Sequence, residues 1–202
     1  MPAAHRYSFD PDRFPKAAFY TVAASSGLHT TIAAGTGSAG HLFAARYAPV
    51  GVGANLLFHV TRLRILWQTI AGFTAAQEMA LAAYKATGFT TLHGTGSAAV
   101  APLALAPGYA VSQLAAVRSS GSAAISAGVL TLGAQLLRGG FAELAAGATV
   151  QKGFIDEEAL ATVHPIVVLA ANEGILVRNE ILMGAGGTGR LTVELDGYER
   201  AA

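Results

Sequence analysis

The chain contains no cysteine, which excludes disulfides, thiolate metal sites and cysteine nucleophiles together. Charge is scarce too. Asp, Glu, Lys and Arg make up 12% of the 202 residues, about half of the ~25% usual in soluble domains. The net charge of +1 provides no concentrated basic field, so neither nucleic acid nor an anionic membrane surface is an expected partner. Long apolar runs are missing as well. Ala86 to Val117 is uncharged, but Gly88, Gly94, Gly96, Pro102, Pro107 and Gly108 interrupt it well short of the roughly 20 continuous apolar residues of a transmembrane helix. The opening MPAAHRYSFDPDRFPKAAF places mixed charges and two internal prolines before any apolar run, which is not the pattern of a secretory leader.

Ala, Gly, Ser and Thr fill the space that charge leaves. A solitary soluble protein keeps charge on its solvated faces, whereas a subunit enclosed by neighbours can cover its surface with small neutral residues. The composition therefore points to a subunit of an assembly. The competing explanation is an alanine-rich composition inherited from the genome. The length suits one domain with an arm: residues 1–18 read as an extended N-terminal arm and 19–202 as a single domain.

From Ala18 onward short apolar runs alternate with turn signals: AAFYTVAA, SSG, LHTTIAA, GTGSAG, HLFAARYAPV, GVGAN. Turn signals every 8 to 12 residues or so are the spacing of an all-β sandwich or barrel. Leu57 to Ile70 is the clearest strand. Val60, Leu63, Ile65 and Trp67 form its apolar face, and Arg62 and Arg64 sit among the polar residues between them. Residues 74–88, TAAQEMALAAYKATG, admit either a helix, on propensity, or a strand from about Met79 to Ala86, and the strand is preferred.

Further along, Gly94 to Gly108 reads as loop, while 113–117 and 129–137 read as strands. Gly139 and Gly140 are expected to break the chain, and Asp156 to cap a short helix over DEEALATV. Pro165 to Asn179 reads as strand, turn and strand, with Gly174 supplying a positive φ at Asn172-Glu173-Gly174. RLTVELDGYE closes the chain as a strand with Leu191, Val193 and Leu195 on one face. The expected fold is an all-β, jelly-roll-like antiparallel sandwich with an extended N-terminal arm and at most one or two short helices.

GxGxxG occurs at Gly35, Gly37 and Gly40, but Pro49 follows within about two turns and no acid lies between Asp12 and Glu78 to bind a ribose. The spacing recurs at Gly184, Gly186 and Gly189, too near the chain's end for a crossover helix, and a chain with 24 glycines produces such hits by chance. Neither GxxxxGK[ST] nor GxSxG is present. His5, His29, His41, His59, His93 and His164 have no metal-ligand spacing. Asp156, Glu157 and Glu158 read as a solvated helix start, and Glu173, Arg178 and Glu180 as an ion pair across the turn. No catalytic, cofactor-binding or metal-binding residue is assigned, and no enzyme is expected.

HPIVVLAANEGILVRNEILMGAGGTGRLTVELDGYER resembles the closing strands of a set of tailed-phage virion proteins, and RLRILWQTIAGFTAAQEMALAAY is similar to their central strands. Together these segments cover about a third of the chain. The sequence departs from that family where it has Gly197-Tyr198 in place of an aromatic such as Trp in the last strand. The resemblance implies a jelly-roll-like sandwich and a structural role as a capsid decoration, cement or accessory virion protein. It also implies a virion location after synthesis in the host cytoplasm. Expected partners are other virion proteins and further copies of the chain, in a trimer or higher ring. The alternative is a binding module for glycan or a host surface, with Trp67, Tyr84, Tyr109 and Tyr198 as its candidate aromatics.

Overall fold

The structure is a computed structural model describing residues 18–30, 32, 34–35, 40–50, 55–91, 97–105, 111–121, 123–125, 128–143, 152–158, 165–184 and 186–201. Strands account for all its regular structure among these residues: β1 (Ala18–Ser25), β2 (His41–Tyr47), β3 (Leu56–Ala71), β4 (Gln77–Thr91), β5 (Ser97–Ala99), β6 (Leu103–Ala104), β7 (Leu114–Ser120), β8 (Val129–Glu143), β9 (Lys152–Glu158), β10 (Val167–Leu169), β11 (Glu173–Asn179) and β12 (Thr188–Ala201). They form two antiparallel sheets. The first runs β10-β3-β12-β1-β6, with β9 also on the edge of β3; the second runs β5-β7-β2-β11-β4-β8.

The pairing scheme makes this a jelly roll. β1 pairs with β12, β2 with β11, β3 with β9 and β10, and β4 with β8, so the first four strands pair in reverse order with the last five. Such a chain is one long antiparallel ribbon, and its successive strands alternate between the two sheets. Rolling the ribbon brings β12 beside β3 and β11 beside β4, which closes each sheet. The short β5 and β6 and the longer β7 lie between β4 and β8 in sequence and extend the edges beside β2 and β1.

The core lies between the sheets and follows the period of two. On β3 the buried positions are Phe58 and Val60, then Leu63, Ile65 and Trp67. The shift in phase is a bulge at Thr61, because Asp196 pairs with Arg62 and Gly197 with Val60. On β12, Leu191, Val193 and Leu195 face them. Two glycines on β12 make room for the largest rings of β3. A Cβ on Gly189 would lie 2.0 Å from Trp67 Cζ2, and one on Gly197 would lie 2.5 Å from Phe58 Cε1. The indole N–H of Trp67 donates to Thr69 Oγ1 at 3.1 Å, so its one polar atom is satisfied inside the core.

Several local expectations are corrected. Lys152–Glu158 is a strand, so Asp156 caps no helix: the backbone from Lys152 to Glu158 pairs with Gln68 to Arg62, and that ladder outweighs local helix propensity. Gly139 and Gly140 do not break the chain. They sit inside β8 opposite Leu81 and Ala80, whose ladder carries the strand through them. The segment 94–108 is not wholly loop, since β5 and β6 pair with β7 and β1. The strand, turn and strand expected at 165–179 are present as β10, a turn at 171–172 and β11; the two strands belong to different sheets, so the turn is a corner of the roll. Asn172, not Gly174, takes the positive φ there, at 61°; Gly174 is needed because a Cβ would lie 2.3 Å from the Ala45 carbonyl oxygen. Met79 to Ala86 is strand, as preferred, within the longer β4 (Gln77–Thr91). The arm reading falls on residues 1–17, outside the described residues, and Ala18 already belongs to β1.

Packing of Trp67 against Gly189 yields a stability prediction. Trp67→Ala is expected to cost about 3–5 kcal/mol and Gly189→Ala about 1–3 kcal/mol through overpacking. The double variant should lose clearly less than the sum, because removing the indole vacates the space that the new methyl needs. Chemical denaturation of the four proteins measures this, and simple additivity would refute the contact.

Candidate functional site

The residues singled out in the sequence occupy structural positions. Arg62 and Arg64 lie on the outward face of the first sheet, where Arg64 Nη1 meets Glu194 Oε2 at 3.1 Å. The group at 173–180 separates into two ion pairs. Arg178 Nε meets Glu180 Oε1 at 2.5 Å, whereas Glu173 Oε2 meets Lys85 Nζ at 2.7 Å. The guanidinium of Arg178 also lies 4.5 Å from the centre of the Tyr84 ring. Gly35, first glycine of the rejected nucleotide motif, packs on that arginine: its Cβ would lie 2.5 Å from Arg178 Cδ. Gly40, at φ 80°, closes against the Gly35 Cα, so these two glycines serve packing around a side chain.

Of the four aromatics assigned to the binding-module alternative, Trp67 and Tyr198 are buried, Tyr84 lies under Arg178, and Tyr109 falls outside the described residues. His59 stacks on Tyr198 with ring centres 4.7 Å apart. Asp156, Glu157 and Glu158 lie on β9, where only the backbone is described. Among the described residues, no group of three or more His, Asp or Glu side chains is placed to hold a metal ion.

His29 and Ser120 are the pair closest in geometry to a nucleophile and its base. His29 Nε2 lies 2.9 Å from Ser120 Oγ, within the reach such chemistry needs. Both residues are buried, however, and His29 Nδ1 has no hydrogen-bond partner to orient the ring. The pair ties the β1–β2 connection to β7, across from one sheet to the other. Burial lowers the His29 pKa below its ordinary 6.5, so the fold favours the neutral imidazole.

The opposite end of the sandwich carries a built surface. There the close of β2, the start of β7, the start of β1 and the end of β12 come together. Glu199, on the inward face of β12, is buried. Its Oε1 accepts from Ser112 Oγ at 2.9 Å and from the Gln113 backbone N–H at 2.7 Å. Gln113 extends the network: its carbonyl accepts from Ala48 N–H, its Oε1 from Val50 N–H, and its Nε2 donates to the Val111 carbonyl. One buried carboxylate thus anchors the segments that present Val50 and Val111, whose side chains are 72% and 81% exposed. On the neighbouring edge strand β6 and just beyond it, Leu103 and Leu105 are 65% and 60% exposed.

Sequence reading missed this platform, although one signal was available. The period of two that puts Leu191, Val193 and Leu195 inward continues to Gly197 and Glu199, so a buried acid was legible once the alternation was carried to the end. The convergence of 48–50 with 111–113 had no sequence signal.

Comparison with known proteins finds no family model, no curated protein and no solved structure that matches the chain. The fold class therefore rests on the strand connectivity: the protein is an antiparallel jelly-roll sandwich.

Two buried groups set opposite pH dependences. Burial raises the Glu199 pKa above its ordinary 4.5, partly countered by the hydrogen bonds from Gln113 and Ser112. The fold therefore holds that proton more tightly than the unfolded chain, and Glu199's contribution to stability is full below about pH 4.5 and lost as pH rises through the raised pKa. His29 runs the other way: its contribution is present above about pH 6.5 and is lost as pH falls through the lowered pKa. Thermal melting as a function of pH should show Glu199→Gln removing the loss on the rising side and His29→Gln removing the loss on the falling side. Unchanged profiles in both variants would refute the assignment.

Proposed function

We propose that the chain is a non-enzymatic structural subunit of a tailed-phage virion, acting as a homo-oligomeric capsid decoration, cement or accessory protein. The observation that carries this reading is the distribution of exposed apolar side chains. Val50, Leu103, Leu105, Val111 and Val129 lie toward the Glu199 end of the sandwich, while Leu28, Ile70 and Leu182 lie at the His29 end. The outward face of the first sheet carries Arg62, Arg64, Glu194 and Asp196 on β3 and β12, and exposed Leu103 lies on the same face at its β6 edge. Apolar side chains gathered at the ends of a sandwich suit contact with further protein.

The low charge of the chain and the resemblance of its closing strands to virion proteins support the same reading. Fold alone does not choose among functions, since jelly rolls serve capsids, lectins and enzymes alike. The distinguishing support is that Val50 and Val111 stand exposed on backbone held through Gln113 by the buried Glu199. A preorganised surface of this kind lowers the ordering cost of association.

Native mass by light scattering tests the proposal. The chain of 20.5 kDa is expected as a trimer or larger ring, and Leu103→Asp combined with Val111→Asp should shift it toward monomer with the melting temperature little changed. A wild-type protein that stays monomeric as concentration rises would sink the subunit reading.

A further inference from the structure

Residues 26–30 and Ile32, part of the connection from β1 in the first sheet to β2 in the second, are held by separate bridges and not by a ladder. Ser26 N–H donates to the Leu191 carbonyl at 2.8 Å, and Leu191 N–H returns a bond to Ser26 Oγ at 2.9 Å. Gly27 N–H donates to the Ser120 carbonyl at 3.0 Å. His29 and Gly189 exchange two backbone bonds, at 2.8 and 2.9 Å, and the Ile32 carbonyl accepts from Met183 N–H at 2.9 Å. These few bonds nevertheless close one end of the core, because His29, Ile32 and Met183 are all buried. The His29 side chain crosses to the second sheet, where Nε2 meets Ser120 Oγ at 2.9 Å.

We propose that residues 26–30 and Ile32 form an acid-released strap, with the His29–Ser120 contact as its latch: a proton taken up by His29 frees the strap while both sheets stay folded. The neutral ring is already fully committed. Its Nε2 has Ser120, and its Nδ1 is buried with no hydrogen-bond partner. An imidazolium donates from both nitrogens. Protonation therefore creates a buried N–H without an acceptor and a buried charge without a counter-ion, and both are relieved only when the ring reaches water.

The charged and titratable groups on the surrounding elements offer no relief. Arg118 on β7 and Arg190 on β12 are cationic, and His41 at the start of β2 is itself a buried histidine. Beside His41, Arg178 holds Glu180 at 2.5 Å. Burial is accordingly what lowers the His29 pKa.

Release is local because the strap's bonds lie outside the long ladders. β12 pairs with β1 over Ala18–Ser25 and with β3 over Leu56–Ala71, and those ladders persist when the bridges at Gly27, His29 and Ile32 break. A segment held by so few bonds opens at lower free energy than the ladders beside it. Opening uncovers Ile32 and Met183 next to the already exposed Leu28 and Leu182. The strap is intrinsic to one chain, so its release is independent of the subunit reading.

The freed ring regains its ordinary pKa of 6.5. The opening constant is therefore flat above about pH 6.5 and rises about tenfold per pH unit below it, down to the lowered pKa of the closed form. Amide-resolved hydrogen exchange of the full-length protein, corrected for the intrinsic rate at each pH, reads this at Gly27, His29 and Gly189, with Ile65 and Val193 as references on the β3–β12 ladder. Protection should fall at the first three alone, in the wild type and in His41→Gln, and should hold across the same range in His29→Gln. The same fall in His29→Gln, its disappearance in His41→Gln, or a fall shared with Ile65 and Val193 overturns the proposal. The His29 ring titration in the wild type, followed by NMR with isotope-labelled histidine, gives a reading that needs no variant. Its midpoint should lie in the range where protection is lost, and a midpoint outside that range overturns the latch.

Discussion

The structure depends on how β3 and β12 fit together. They pair along nearly their whole lengths, from Leu56–Ala201 to Ala71–Thr188, and their inward faces would collide if both carried large side chains throughout. Gly189 and Gly197 resolve this by letting Trp67 and Phe58 lie flat over the neighbouring strand. Each aromatic buries a large apolar area and also covers backbone that a bare glycine would expose. Because β12 pairs β1 on its other edge, and β3 pairs β9 and β10, the position of this contact sets the register of the whole first sheet. A slip of one residue would turn every apolar side chain of β12 toward solvent.

Glycine in this chain therefore serves volume more than nucleotide chemistry. Both GxGxxG sequences contain residues that the packing requires: Gly35 and Gly40 around Arg178 in one, Gly186 and Gly189 against Thr74 and Trp67 in the other. Each motif is followed by a strand, β2 in one case and β12 in the other, where a phosphate cradle needs a helix.

The two ends of the sandwich are closed by different polar devices. At one, neutral His29 reaches Ser120 across the sheets. At the other, Glu199 gathers Ser112 and Gln113, and through them the backbone at Ala48, Val50 and Val111. A buried carboxylate facing two donors is costly to desolvate, and it persists because those donors would otherwise be unpaired as well. The same network fixes the backbone that bears the exposed valines, so a core feature and a surface feature share one cause.

The sequence by itself determined the all-β class, most strands and their buried faces, because a period of two in apolar residues acts locally and identifies which side of each strand meets the core. It determined the surface chemistry too, through the shortage of charge. Helix at Asp156 and a break at Gly139-Gly140 failed for a common reason. Each was inferred from a few neighbouring residues, whereas the outcome was set by a strand distant in sequence: β3 for Asp156 and β4 for the glycines. Only the tertiary structure decided the rolled order of pairing, the split of Glu173 and Arg178 into separate ion pairs, and the platform at the Glu199 end. Those depend on which backbones the roll brings together, a matter of long-range pairing that no local pattern encodes.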